Sequence, residues 1–445
     1  MSNLLKRFFP LDDRVVFTAF GGLLLFTLAA AILKNNYLYL GLPFGVLFLL
    51  VILTNYRALY YLLFLSLPFS MERFVAGITT DVLAEPLMIV LSVCLVASFL
   101  FGTRPDKAFF SHPVVKLIAA IYLWSLVCAF FSVDALKSVK YLLAKAWYII
   151  PFLLLTGSVV RKVSDIRRVL WCFLVPLVFL VAVVIFKHML QGFAFHAVQR
   201  SVDPFFKNHV IYAATVALFL PFLLTLYKPK QNLLNLFLLA GFLIMLIGIG
   251  FSYTRASWLS LPLAVFYYIG IRLKITKLAV IGAYLGGVLA LGYFFYENTF
   301  MKYAPDYEKT VFYRDNLGKH LQATYKFEDV SGMERVYRWV AAVKMGVDRP
   351  LFGSGPSTFY PEYKKYTVTS FQTYVSDNPE KSTTHNYFLL TLAEQGIIGL
   401  LLFLALVGYV LVLVQKLFHR TRNPEFRRAI LGAGLCFFII IFHLV

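Results

Sequence analysis

Three stretches of this 445-residue chain place basic side chains where they could act on an anion and on a proton. The first is Phe251-Ser-Tyr-Thr-Arg-Ala-Ser-Trp-Leu259, where Arg255 opens a helix that Thr254 or Ser252 could cap. The second is Ser331-Gly-Met-Glu-Arg-Val-Tyr-Arg-Trp339, with Arg335 and Arg338 three residues apart on one helix face. The third is Ser382-Thr-Thr-His-Asn-Tyr-Phe-Leu-Leu390, where Ser382 or Thr383 could cap a helix with His385 in its first turn. Free N–H groups and the dipole at a helix start favour anions and disfavour imidazolium. A neutral His385 could then take a proton from a hydroxyl. Guanidiniums beside a neutral imidazole suit a polyanionic lipid headgroup next to a hydroxyl to be deprotonated. Plainer roles stay open: Arg255 as an interfacial anchor beside Trp258, and His385 as a satisfied structural residue.

These side chains need elements to position them. Ser331 and Glu334 have capping-box spacing, and Val336, Trp339, Val340, Val343 and Val347 form an apolar stripe at helical spacing. That predicts an amphipathic helix with Arg335 and Arg338 off its packed face, ending before Pro350. The following Pro350-Leu-Phe-Gly-Ser-Gly-Pro356 is a turn whose glycines permit close backbone approach. Glu394 falls nine residues after His385, inside an apolar run where a carboxylate needs a partner.

The rest of the chain is membrane-like. It is 60% hydrophobic and 14% charged, against roughly a quarter charged in soluble domains. Apolar runs near the spanning length of roughly 20 residues recur. Spans are predicted at 15–33, 37–54, 57–69, 82–101, 114–132, 141–159, 167–186, 207–226, 233–251, 257–271, 277–295, 387–415 and 429–445. The 57–69 run is short enough to be tilted or re-entrant. The fold expected is an all-α polytopic membrane protein of about 12–13 transmembrane helices with one large loop containing short helices. Its parts are a bundle over 1–295, a loop over 296–384 and C-terminal helices over 385–445, the last run being short or truncated. The first run lacks a small-residue cleavage site and is expected to be a retained span. The four cysteines all lie in apolar runs and form no disulfide or metal framework.

Charge orients the chain. With a cytoplasmic N-terminus, the short basic turns alternate onto one side without a break, and 296–384 falls on the outer side. That loop holds 12 basic and 11 acidic residues, half of the 22 acidic residues in the chain, so the net +20 arises elsewhere. The cytoplasmic turns supply most of it. Lys34, Arg73, Lys137, Lys140, Lys187, Arg200, Lys207 and Arg255 remain at or near the outer face, where the positive-inside rule does not ask for them. They could snorkel to headgroups, or hold an anionic ligand such as a diphosphate.

Taken in order, the three stretches resemble the O-antigen ligases and the related O-antigen and exopolysaccharide polymerases. Tyr253-Thr-Arg-Ala-Ser-Trp258 is similar to that family's Thr-x-Ser-Arg-x-x-Trp motif, with Thr254 where Ser is usual. Arg335-Val-Tyr-Arg-Trp339 resembles its Arg-x-x-x-Trp. Thr384-His-Asn-Tyr-Phe-Leu389 with Glu394-Gln-Gly-Ile-Ile-Gly399 resembles its His-Asn-x-x-Leu and Glu-x-Gly-x-x-Gly signature.

The resemblance implies a metal-independent, cofactor-free, inverting glycosyltransferase of the bacterial inner membrane, with its site facing the periplasm. The donor would be a glycan on undecaprenyl diphosphate, and the acceptor a lipid A-core or another glycan. Membrane lipids are the other partners, with no nucleic acid. Arg255 and Arg335 would bind the diphosphate and His385 would deprotonate the acceptor. Arg338, Lys207, Arg200, Asn386 and Glu394 are the further substrate-binding candidates. A ligase is preferred over a polymerase, which shares the motifs. A lipid-linked glycan flippase is the alternative from another class, and it predicts internal repeats with paired broken helices.

Overall fold

The computed structural model describes residues 21–30, 43, 56–75, 78–100, 106–304, 330–372, 376–378 and 381–445. The predicted span 37–54, much of 15–33 and loop residues 305–329 lie outside them. The described chain is helical but for one hairpin, β1 (Glu72–Val75) paired antiparallel with β2 (Ile78–Asp81). In hydrocarbon every backbone N–H and C=O needs an internal partner, and apolar helices meet that need within one segment. Among the described residues nine helical stretches are long and apolar enough to cross a membrane, from Pro113–Phe130 to Pro424–His443. They match the last nine predicted spans. The chain is therefore an all-α polytopic membrane protein.

Contacts divide the chain into two units. The first comprises 1–106 and 147–173. It holds α1 (Gly21–Ala30), α2 (Tyr56–Ser66), the hairpin and α3 (Ala84–Leu100). The predicted short span 57–69 is α2 with a 3-10 turn at Leu67–Phe69. Leu59, Leu63, Met88, Leu91 and Leu155 build its core, and the Tyr60 and Thr156 hydroxyls share a 2.7 Å hydrogen bond.

The second unit comprises 107–146 and 174–445. Its helices include α4 (Pro113–Phe130), most of α5 (Ala135–Ile149), the latter part of α6 (Val163–Met189), α7 (His209–Phe219), α8 (Asn232–Gly250), α9 (Arg255–Leu273) and α10 (Thr276–Phe295). The loop helix α11 (Val330–Asp348), α12 (Tyr387–Arg420) and α13 (Pro424–His443) complete it. Tyrosines tie the bundle to α12: Tyr267 donates to the Leu411 carbonyl at 3.0 Å and Tyr284 to that of Leu404 at 2.7 Å.

The loop helix ends at Asp348, ahead of Pro350 as predicted. Its packed face contains most of the predicted stripe: Val340 is buried, and Val336, Trp339 and Val343 pack partly buried against the same core. Met333, Tyr337, Val340, Ala341 and Met345 are buried, whereas Val347 is 75% exposed. The face is wider than the stripe because α11 packs across the start of α12, where Leu389 and Ala393 join it in one core with Phe359, Tyr363 and Phe371. Ser331 lies within α11, and Glu334 is buried in an ion pair.

The 34-residue α12 is not one rod. Its path breaks at Gly396, at φ 68° and ψ −171°. The 350–355 turn inserts there and replaces the missing helical hydrogen bonds. Ser354 N donates to the Ala393 carbonyl, Gly355 N to that of Glu394, and Ile397 N to that of Pro350, all at 2.8–2.9 Å. The two backbones approach so closely that a Cβ on Gly396 would strike the Leu351 carbonyl, and one on Gly353 the peptide of Glu394 and Gln395. Both residues also have positive φ, so glycine is required twice over. From α4, Trp124 Nε1 donates to the Gln395 carbonyl at 2.9 Å and Ser125 to the Gln395 side chain at 2.9 Å, fixing the break from the other side.

Candidate functional site

His385 does not lie in the first helical turn. Asn386 is the N-cap of α12, its side-chain oxygen accepting from Phe388 N and Leu389 N, both at 3.1 Å. Ser382 and Thr383, the predicted caps, stand further upstream. Asn386, a substrate-binding candidate on the family motif, thus spends its carbonyl on the helix start. His385 precedes the cap with φ 53°, a left-handed conformation uncommon outside glycine but one in which His, like Asn and Asp, is enriched. The buried Thr384 hydroxyl holds that turn, donating to the Asn386 carbonyl at 2.6 Å and accepting from Asn386 N at 3.1 Å.

The loop helix grips the same turn from the other side. Trp339 Nε1 donates to the Thr384 carbonyl at 3.0 Å and Arg338 Nη1 to that of Thr383 at 3.3 Å. Arg338 is not beside Arg335 on the open face. It is 5% exposed, with Nη2 paired to Glu334 Oε2 at 3.1 Å, and Glu334 also accepts from Ser376. The i,i+4 spacing of Glu334 and Arg338 is a signal the sequence offered for this pair. Arg335, one turn behind Trp339, is exposed.

These neighbours set the proton affinity of His385. Although the side chain reaches the surface, loss of hydration pushes its pKa down to about 4, and the Arg338 and Arg335 guanidiniums push the same way. At neutral pH the imidazole is uncharged and able to accept a proton. The expectation of a neutral His385 drew on the helix dipole; in the structure the named causes are burial and two arginines.

Arg255 is the first residue of α9, with Thr254 at the N-cap position. The Thr254 side chain makes no capping bond; it donates to the Ser252 carbonyl at 3.3 Å and to that of His209 at 3.5 Å. The second contact brings the 198–209 segment to the Arg255 turn. Lys207 and Arg200 lie there and are both exposed, Arg200 on the short helix Val198–Val202. The Arg255 turn is further fixed by Tyr253, whose hydroxyl donates to the Phe193 carbonyl at 2.7 Å, and by Phe251 stacked on Phe193 at 4.2 Å.

What links Arg255 to His385 is the end of α13. The Ser257 hydroxyl and His443 Nε2 lie 3.1 Å apart, and Tyr387 N donates to the Leu444 carbonyl at 2.7 Å. Adjacent residues of one chain end therefore touch positions two beyond Arg255 and two beyond His385. Nothing in the sequence marks His443 for this role, because the pairing spans 186 residues.

Glu394 has a different job from the one expected. It is buried and both carboxylate oxygens are taken, Oε2 by Ser357 N and Oε1 by Phe359 N, each at 2.9 Å. It fastens the chain beyond the inserted turn to α12, so the partner an intramembrane carboxylate requires is backbone N–H.

An apolar cleft of about 770 Å³ opens in the same unit, lined by Leu220, Leu224, Leu238, Phe242, Leu261, Val265, Leu435 and Ile439 among others. Its walls on α9 and α13 start one turn from Ser257 and His443, at Leu261 and Ile439.

Residues 240–404 match the sequence model of a family described as O-antigen ligase, a stretch that contains Arg255, Arg335, Arg338, His385, Asn386 and Glu394. Lys207 and Arg200 lie before it. No curated protein matches the chain.

Proposed function

From the match of residues 240–404 to a family described as O-antigen ligase, we propose that this protein transfers a glycan from a polyprenyl diphosphate, of the undecaprenyl kind, to a hydroxyl of a lipid A-core or other acceptor sugar. The observation that carries the reading is His385, held neutral beside two guanidiniums. In this reading the acceptor hydroxyl gives its proton to the imidazole while its oxygen attacks the anomeric carbon from the face opposite the diphosphate. The bond from that carbon to the diphosphate oxygen breaks, and the lipid diphosphate leaves with the electron pair. Arg335 and Arg255 bind the diphosphate and stabilise the charge that develops on it, with Lys207 and Arg200 as further cations along the Arg255 side. Arg338, paired and buried, acts by holding the His385 turn and biasing its proton affinity. No metal or cofactor is called for, since guanidiniums supply the countercharge.

The apolar cleft supports a lipid-borne donor, because it starts one turn from the Arg255 side of the site and is lined mostly by aliphatic and aromatic side chains. The location that fits is the bacterial inner membrane. The basic turns lie in the cytoplasm and the site faces the periplasm, with the loop helix α11 forming one wall.

A polymerase would use the same residues and differ only in the acceptor. A flippase is not favoured: broken transporter helices line a substrate cavity, whereas the break at Gly396 is filled by the protein's own turn. Purified protein incubated with undecaprenyl-diphosphate glycan in chelator tests the proposal. Glycan on added lipid A-core indicates the ligase, and donor laddering the polymerase. No turnover with either, with donor crossing a vesicle membrane, would overturn both.

A further inference from the structure

Lys145 sits on α5, within a helical stretch of membrane-spanning length and composition, Ala135–Val159. It is half-buried. Among the described residues no carboxylate lies within ion-pair distance of its ammonium. Nζ donates to the Tyr141 hydroxyl at 3.2 Å and lies 5.2 Å from the centroid of the same ring. The Glu394 charge reaches Lys145, but both oxygens of that carboxylate are already held by backbone N–H groups. The Tyr141 hydroxyl interacts in turn with that of Tyr387, the first residue of α12 and two beyond His385.

Cations within membrane segments are costly, and they are retained where they meet a countercharge or a substrate. Here the described surroundings offer Lys145 phenols and one distant, occupied carboxylate. Lys137, Tyr141 and Lys145 follow at i, i+4 and i+8 on one face of α5. Lys137 is neutralised by Asp134 at 3.0 Å, which leaves Lys145 as the cation of that face without a paired anion. An ammonium and two phenolic hydroxyls are all donors, matched to an anion with several acceptor oxygens. At the border of a bilayer that anion is a phosphate ester.

We propose that Lys145, with the hydroxyls of Tyr141 and Tyr387, forms a second anion subsite that takes the phosphate of a lipid headgroup, separate from the arginines around His385. Under the transferase reading that phosphate belongs to the acceptor lipid or to the donor, and binding measurements can tell which without turnover.

The test uses the full chain purified in neutral detergent and two probes, phosphatidic acid and a polyprenyl diphosphate, with phosphatidylcholine as the uncharged-headgroup control. Affinities are read by native mass spectrometry. Lys145→Met is expected to weaken one probe about tenfold and leave phosphatidylcholine unchanged, while Lys145→Arg keeps most of the affinity. Loss confined to phosphatidic acid assigns the subsite to the acceptor's phosphate; loss of polyprenyl diphosphate assigns it to the donor. Tyr141→Phe, which keeps the helix packing, should weaken the same probe severalfold and serves if Lys145→Met does not fold. Unchanged affinities for both probes overturn the proposal. If thermal stability alone falls, Lys145 merely balances Glu394. Binding that behaves as expected in a protein that transfers no glycan leaves the subsite standing and removes the transferase reading.

Discussion

Arg338 and Glu334 face each other one turn apart on the loop helix, 3.1 Å between Nη2 and Oε2, with both side chains buried. The same guanidinium reaches the Thr383 carbonyl and lowers the proton affinity of His385. One buried ion pair thus helps to hold the place of the candidate base and adds to the effect of burial that keeps it uncharged.

Breaking that pair should be costly. Glu334→Gln leaves Arg338 buried with a neutral partner, and removal of one member of a buried pair typically costs about 3 kcal/mol or more. A clear drop in melting temperature in detergent is expected. An unchanged melting temperature would show the pair to be dispensable for stability.

His385→Ala should lower transfer by about 10²-fold or more, the usual contribution of a positioned general base, while donor binding persists. Single-turnover kinetics and donor affinity measured on one preparation separate the two effects. Transfer at the normal rate would remove His385 from the role.

The pH dependence has a defined sign. The folded pKa of His385 is lowered to about 4, so the neutral base is present above that value and lost as pH falls through it. The acid limb of kcat/KM, which reports free enzyme, should lie near there. A bound diphosphate offsets the guanidinium charge, so the limb of kcat should lie higher. Arg335→Ala should raise the free-enzyme limb, because one of the charges opposing protonation is gone. A limb that moves down in that variant contradicts the assigned cause.

Gly396→Ala places a methyl against the Leu351 carbonyl in a left-handed backbone. The variant should accumulate poorly in membranes and melt well below the parent. Leu351→Ala leaves that carbonyl in place and should not rescue it, which a double-variant melting comparison would show.

The helices of the membrane bundle were legible because hydrocarbon leaves an apolar segment few alternatives to the helix. His385, Arg335 and Arg255 stand out in the sequence as basic side chains at or beside segment borders. What escaped was everything set by contact between distant segments. Arg338 and Glu394 both looked available for a ligand, yet one is neutralised by Glu334 and the other spent on Ser357 N and Phe359 N. Val347 belongs to the predicted stripe and is exposed, whereas Val336, Trp339, Val340 and Val343 pack as their periodicity predicts. The cap of α12 is Asn386, because the helix begins at Tyr387 and the Asn386 side-chain oxygen accepts from Phe388 N and Leu389 N.

The contacts of His443 and Leu444 have a practical corollary. A chain cut short of them would keep every motif residue from Arg255 to Glu394 and still lose the clasp between the two halves of the site. Fragments chosen by motif content alone would then read as intact on paper and behave as inactive at the bench. A substitution or insertion that displaces Leu444 would do the same.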